Sequence, residues 1–270
     1  MYEKISTFVC EMKKPLLYIV LFVSCVLLTA CESSAQNARH YTLQVEESLP
    51  HDVSAYTQGL FFYEGELYES CGQYGESSFR KVELATGKVL QRINFDRKYF
   101  LEGACALKDR IYILTWQENT CFVYDIKTMS LIGSVRYRGE GWGLTTDGKY
   151  LIMSDGSSSL TFRNPDNFKV EKQVTVTLNG KSLRYLNELE YINGEIWANV
   201  YGSDAIVTIN PSSGAVTGMI DCRNLLPSAL RKPSTDVLNG IAYNDRDGAI
   251  WLTGKYWPKI FRVTLVEKQK

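Results

Sequence analysis

The chain has only two histidines, His40 and His51, in 270 residues, both in its N-terminal stretch. A triad built on an imidazole base lacks its material, and so does a zinc site built on two imidazoles. Seven cysteines occur without a CxxC spacing, which removes a thiolate zinc cluster and a dithiol redox pair. No Gly-rich loop stands between a strand and a helix, so the phosphate cradle of nucleotide-binding proteins is missing. Charge of one sign is missing too: 30 basic residues meet 30 acidic ones. Such a balance argues against nucleic acid or an anionic membrane surface as partner, because both are held by clustered positive charge. Composition shows no sign of disorder, since 45% of the residues are hydrophobic, enough to bury a full core.

Long hydrophobic runs are also scarce. Leu16 to Leu28 is 13 residues long, short of the roughly 20 that span a bilayer as a helix. It follows Lys4, Lys13 and Lys14 and ends in Leu28-Thr29-Ala30-Cys31, the charged-then-apolar layout of a secretory signal. Small residues before a cysteine resemble the lipobox of bacterial lipoproteins. That resemblance implies a signal peptide over residues 1–30, a lipid on Cys31 and a polar tether over 31–40 ahead of a domain over 41–270. The expected place is the bacterial cell envelope, on its periplasmic or surface side, with membrane contact through the lipid alone. Residues 1–30 hold three lysines and two glutamates, so the remainder carries 27 basic and 28 acidic residues, a surface suited to a small, weakly charged substrate. Cys10 and Cys25 lie in the leader; Cys71, Cys105, Cys121 and Cys222 are expected as buried free thiols, with any pairing left open.

Five segments share one outline: a short apolar strand, a tight turn and a returning apolar strand. The openings are Gln58-Gly59-Leu60, Glu102-Gly103-Ala104, Trp142-Gly143-Leu144, Asn187-Glu188-Leu189 and Asn239-Gly240-Ile241, spaced by 44, 40, 45 and 52 residues. The turns are read as Glu64-Gly65, Asp109-Arg110, Asp147-Gly148, Asn193-Gly194 and Asp247-Gly248, four of them with the glycine that positive φ favours. A third and a fourth strand follow, without helical periodicity. Repeats of four antiparallel strands at this spacing describe propeller blades, so the fold is expected to be all-β, a five-bladed β-propeller. The last unit stops after three strands while Tyr41 to Val45 is an orphan strand; the N-terminal strand is therefore expected to join the last blade and close the ring.

In such a fold the residue that opens each inner strand and the residues after the second strand lie at one end of the channel, because those strands are antiparallel neighbours. A bare scaffold would keep small or turn residues there. Instead the openings are Gln58, Glu102, Trp142, Asn187 and Asn239, and the second set includes Trp116, Asp155, Tyr201 and Lys255. Singly, each has an ordinary explanation: a rim charge, core indoles, turn-forming asparagines. Their shared position favours a site.

Tyr56-Thr57-Gln58-Gly59-Leu60, Phe100-Leu101-Glu102-Gly103, Leu114-Thr115-Trp116, Glu140-Gly141-Trp142-Gly143-Leu144, Leu186-Asn187-Glu188-Leu189-Glu190, Leu238-Asn239-Gly240 and Thr253-Gly254-Lys255-Tyr256-Trp257-Pro258 together resemble the plant and bacterial type of glutaminyl-peptide cyclotransferase. The resemblance runs from about Tyr41 to Val266. It implies a five-bladed propeller that converts the N-terminal glutamine of peptides or proteins to pyroglutamate with release of ammonia, as a monomer and without a catalytic metal or other cofactor; a structural ion in the channel stays open. Glu102 is implied as general acid and base, with Lys255 as the other catalytic group. Gln58, Asn187 and Asn239 are implied to bind substrate, with Phe100, Trp116, Trp142 and Tyr201 as walls. Tyr201 stands where the family usually has tryptophan, and Cys71 where relatives often have a small hydroxyl residue. The Asp221–Val237 connection is read as running toward the same mouth. Two other classes remain: a propeller that binds a partner without catalysis, and a metal-dependent propeller hydrolase, for which the mouth offers only Glu102 and Asp155 as carboxylates.

Overall fold

The computed structural model describes residues 38–269. The leader, Cys31 and the tether up to residue 37 lie outside the described residues. Strands dominate the described chain, and its helical element is one 3-10 turn, Ser228–Leu230.

After β1 (Arg39–Pro50) the chain builds five antiparallel units, the first four of four strands and the last of three. The first is β2 (Thr57–Tyr63), β3 (Glu66–Cys71), β4 (Ser78–Glu83) and β5 (Lys88–Asn94). The second is β6 (Leu101–Leu107), β7 (Arg110–Thr115), β8 (Thr120–Asp125) and β9 (Leu131–Arg136). The third is β10 (Leu144–Thr146), β11 (Leu151–Met153), β12 (Ser159–Arg163) and β13 (Val170–Thr175). A small hairpin, β14 (Thr177–Leu178) and β15 (Lys181–Ser182), precedes the fourth unit, β16 (Leu186–Ile192), β17 (Glu195–Val200), β18 (Ala205–Ile209) and β19 (Val216–Asp221). The fifth is β20 (Leu238–Asn244), β21 (Ala249–Gly254) and β22 (Lys259–Glu267). Three units turn in two residues with positive φ at both: Glu64-Gly65, Lys108-Asp109 and Asn193-Gly194. The second of these turns falls one residue earlier than the sequence suggests, because Arg110 already pairs with Leu107. The third and fifth hairpins close through four residues, with Thr146 paired to Leu151 and Asn244 to Ala249.

β1 is longer than the orphan strand read from the sequence and is paired on both sides. Tyr41–Pro50 runs antiparallel to β22, and Arg39–Thr42 runs parallel to Gly218–Asp221 of β19. The fourth and fifth units thereby fuse into one eight-stranded sheet, and two open edges disappear.

Glycine sets the spacing of the opening strands. A Cβ on Gly59 would sit 2.5 Å from the Ala104 nitrogen, one on Gly103 2.4 Å from the Leu144 nitrogen, and one on Gly143 2.0 Å from the Asn187 oxygen. Backbone therefore meets backbone from the first unit to the fourth, an approach that a side chain would forbid. In the fourth unit Glu188 replaces the glycine, and its buried carboxylate accepts from the Leu60 amide at 3.3 Å and the Ile241 amide at 2.9 Å. Burial and the neighbouring Glu190 push the Glu188 carboxyl well above its usual range. Two residues on, Glu190 accepts from the Tyr243 amide at 2.9 Å and is pushed up to about 8 by burial. These bonds link the fourth unit to the fifth and the first.

Five apolar clusters fill the gaps between successive sheets, the last joining the fifth unit to the first through Leu60, Leu67, Trp251 and Ile260. Each fully buried leucine or isoleucine there contributes about 1.5–3 kcal/mol. Cys71, Cys105, Cys121 and Cys222 are free and buried in this interior, as expected.

Gly143→Ala is expected to destabilise the protein by about 3 kcal/mol, since backbone on both sides must move. Gly133→Ala, where an added Cβ meets nothing within 4 Å, should stay within about 0.5 kcal/mol of the parent in the same urea titration.

Candidate active site

Four opening strands slip register at their first residues: Thr57/Gly59 in β2, Leu101/Ala104 in β6, Leu186/Leu189 in β16 and Leu238/Ile241 in β20. A bulge takes a residue out of the ladder and re-aims its side chain. Gln58, Glu102, Asn187 and Asn239 are the residues so released. In the third unit Trp142 and Gly143 precede β10 and are fixed instead by Ser154: the Trp142 amide donates to its carbonyl at 3.0 Å and the Gly143 amide to its hydroxyl at 2.7 Å.

These residues open onto a cavity of about 320 Å³. Gln58, Phe100, Glu102, Trp116, Trp142, Asn187, Tyr201 and Lys255 line it, together with Tyr56. Asn239, expected against substrate, does not line it; it is fully buried behind Gln58, donating to the Thr57 carbonyl at 2.8 Å and to Gln58 Oε1 at 3.2 Å. That bond fixes the Gln58 amide, whose Nε2 then donates to Glu102 Oε1 at 2.9 Å. Asp155 stays outside as an exposed turn residue, accepting from the Ser157 amide at 3.0 Å.

Glu102 is 5% exposed. Burial pushes its carboxyl well above the usual range; the Lys255 ammonium opposes this, and Glu140 and Glu118 add to it. Lys255 is 2% exposed, and burial lowers its pKa while Glu102 and Asp236 pull it back up. Its Nζ lies 4.5 Å from the centroid of the Tyr56 ring and 5.3 Å from that of Tyr201, so π faces carry part of its solvation. The Asp221–Val237 connection reaches this point, as its expected course requires: the Lys255 amide donates to Val237 O at 2.9 Å and the Asp236 amide to Lys255 O at 3.0 Å. Asn187 Oδ1 is buried with no hydrogen-bond partner. Because Asn187 lines the cavity, this acceptor is open to a water or a ligand donor.

An aromatic belt encloses these groups. Tyr56 meets Phe100 edge-to-face at 6.0 Å, Phe100 meets Trp116 at 5.7 Å, and Trp142 meets Tyr201 at 5.6 Å. Between the two indoles stands Glu140, whose Oε2 accepts from Trp116 Nε1 at 2.8 Å and from Trp142 Nε1 at 2.9 Å. Burial raises the Glu140 carboxyl, but the bonds from Trp142, Trp116 and Gln117 outweigh it and hold the group below its ordinary value. Sequence reading missed Tyr56 and Glu140 as site residues. Both stand two positions ahead of an opening residue, as Phe100 does, and that offset was the available signal.

A buried carboxyl and a buried ammonium thus line one cavity walled by aromatic rings. Comparisons with known proteins give the class. Residues 17–265 match the model of the family described as glutamine cyclotransferase. A glutaminyl-peptide cyclotransferase of Arabidopsis thaliana is 44% identical over 229 residues, 83% of this chain and 71% of that protein. The crystal structure of Myxococcus xanthus glutaminyl cyclase is 34% identical with a TM-score of 0.81, covering 86% of this chain and all of that one. The chain belongs to the glutamine cyclotransferase family and is an enzyme of that class.

Because the Glu102 pKa is raised on folding, its contribution to stability is full below the unfolded carboxylate range and is lost as pH rises toward the folded value. Glu102→Gln should therefore gain stability over the parent as pH increases above about 4, the unfolded carboxylate value, in parallel urea titrations across pH. A difference independent of pH would contradict the raised carboxyl.

Proposed function

We propose that the protein is a five-bladed β-propeller glutaminyl-peptide cyclotransferase that converts the N-terminal glutamine of peptides to pyroglutamate, with Glu102 carrying the proton and no metal taking part. Three four-stranded sheets, a fourth and a fifth unit fused through β1 into one eight-stranded sheet, and five apolar clusters between successive units in cyclic order support the propeller reading. The observation that carries the mechanism is Glu102, buried in the aromatic cavity with one carboxyl oxygen held by Gln58.

The substrate's α-amine attacks its own γ-carboxamide carbon, so the enzyme's first task is to hold a folded, near-attack conformer. The belt of Tyr56, Phe100, Trp116, Trp142 and Tyr201 supplies a slot for it. As the new C–N bond forms, ionised Glu102 takes one proton from the amine, and the carbonyl π electrons move onto oxygen. Collapse of that intermediate breaks the bond to the amide nitrogen, which receives the same proton from Glu102 and leaves as ammonia. A carboxyl whose pKa is raised toward the working pH suits both halves of this exchange. Lys255 faces the developing oxyanion, and its charge is strengthened there by a low dielectric. Asn187 Oδ1, lacking a protein partner, accepts from the attacking amine and fixes its direction.

A metal has poor purchase here. The cavity lining presents one carboxylate and one ammonium, and His51 is occupied elsewhere, its ring nitrogens meeting Trp257 O at 2.8 Å and Glu69 Oε1 at 3.0 Å. The acylated Cys31 and the envelope location extend the same proposal on the strength of the lipobox-like sequence.

With a peptide that begins with glutamine, the protein should release ammonia and leave a product lighter by that mass. Glu102→Gln should cut kcat by about 10²–10⁴, with EDTA leaving the parent rate unchanged. An inactive parent sinks the activity, an undiminished variant sinks the role of Glu102, and EDTA sensitivity restores a metal. The acid limb of kcat/KM should lie above the ordinary carboxylate range and the alkaline limb below the ordinary lysine value, following the raised Glu102 and the lowered Lys255. Cys31→Ser should move the protein from the membrane pellet to the soluble fraction of an envelope preparation; unchanged fractionation removes the lipid anchor.

A further inference from the structure

We propose that Glu140 is a positioning residue of the reaction: its carboxylate clasps the indoles of Trp116 and Trp142 into the two walls of the slot in which the glutamine side chain folds onto its own amine. This rests on the cyclotransferase reading of the cavity.

The belt of aromatic rings is continuous from Tyr56 through Phe100 to Trp116 and again from Trp142 to Tyr201. The two indoles themselves form no ring contact with each other, and the gap between them is closed by one oxygen atom. Glu140 Oε2 accepts both indole N–H groups, at 2.8 Å and 2.9 Å, while Oε1 accepts from Gln117 Nε2 at 3.2 Å. An indole has a single polar handle, so one strong acceptor fixes its rotation about the ring normal. The acceptor is ionised, which shortens and strengthens both bonds.

Backbone seats the clasp as well. The Gly141 amide donates to the Trp116 carbonyl at 3.0 Å. A Cβ on Gly141 would lie 2.3 Å from the Tyr137 hydroxyl and 2.9 Å from the Thr115 oxygen, so the segment Glu140-Gly141-Trp142 is pressed onto the end of β7. Glu140 is thus joined to one indole by sequence and to the other by a backbone bond.

The clasp also removes both indole N–H groups from the cavity. Neither is free to reach a substrate oxygen, so the charge that develops on the amide oxygen is left to the other donors of the lining, Lys255 among them. The walls act by shape and by excluding water, and their effect belongs to the folded, near-attack conformer more than to initial binding.

Glu140→Ala and Glu140→Gln separate these roles, because the glutamine amide oxygen still accepts two N–H bonds but carries no charge. In Glu140→Ala, kcat should fall about tenfold or more with KM within about threefold of the parent, and near-UV circular dichroism and acrylamide quenching of the indoles should both change. Glu140→Gln should restore the circular dichroism and bring kcat back to within about threefold of the parent. A rise in KM at unchanged kcat in Glu140→Ala, equal losses in both variants, or unaltered indole signals in Glu140→Ala would each overturn the proposal. If the parent itself forms no pyroglutamate, the cyclotransferase reading and the catalytic role fall together, whereas altered indole signals in Glu140→Ala that return in Glu140→Gln would still establish the clasp. Thermal melting of both variants shows whether a loss of fold accounts for the change, and such a loss in Glu140→Gln also counts against the proposal.

Discussion

The opening strands of the first four units approach so closely that backbone alone separates them at Gly59, Gly103 and Gly143. The whole arrangement at the mouth depends on that crowding. At the same strand ends, four of the five opening strands slip register against their second strands. The slipped residues are the ones whose polar groups face the cavity or stand directly behind it. Structural tightness and chemical display thus meet at the same strand ends.

Ionisable groups answer to the same condition. A carboxyl and an ammonium, both almost fully buried, are costly to hold apart from water unless something else solvates them. For Glu102 that substitute is the Gln58 amide, itself oriented by Asn239. For Lys255 it is two tyrosine faces. Neither group is satisfied by a direct ion pair, which would pull the Glu102 carboxyl back down toward its ordinary range. Deeper among the opening strands, Glu188 and Glu190 are buried carboxyls of another kind, bonded to backbone amides of neighbouring strands and serving cohesion.

Much of this was legible in the sequence, for reasons that differ by residue. The five units were visible because tight hairpins demand glycine or another residue tolerant of positive φ, and the one turn without glycine was the one placed a residue late. Glu102 and Lys255 were visible because the strand openings and the residues after the second strands gather at one end, where these two place opposite charges on the cavity. Asn239 was misjudged because its place in the repeat matches that of Asn187, and only side-chain packing separates the asparagine at the cavity from the one behind it. Tyr56 and Glu140 escaped although each stands two positions ahead of an opening residue, as Phe100 does, because the repeat was compared only at the strand openings and the ends of the second strands. Glu188 looked like an ordinary strand residue, although it occupies the position that glycine holds in the other four units. The double pairing of β1 was half legible: the missing strand of the last unit revealed the β22 partner, while nothing in the sequence pointed to β19.

That double pairing bears on how the protein is made. The Thr42 hydroxyl of β1 bonds to the Val266 carbonyl of β22, 224 residues later in the chain. A ribosome delivers the first strand long before its antiparallel partner exists, so the growing polypeptide carries an unclosed array with one strand waiting at its rim. Contacts of such sequence separation form late and slowly, and bare strand edges invite association with other nascent chains in the interval. The closure that leaves the mature fold without free edges at this seam therefore makes the chain most vulnerable during its synthesis, and most dependent on whatever shields it until β22 emerges.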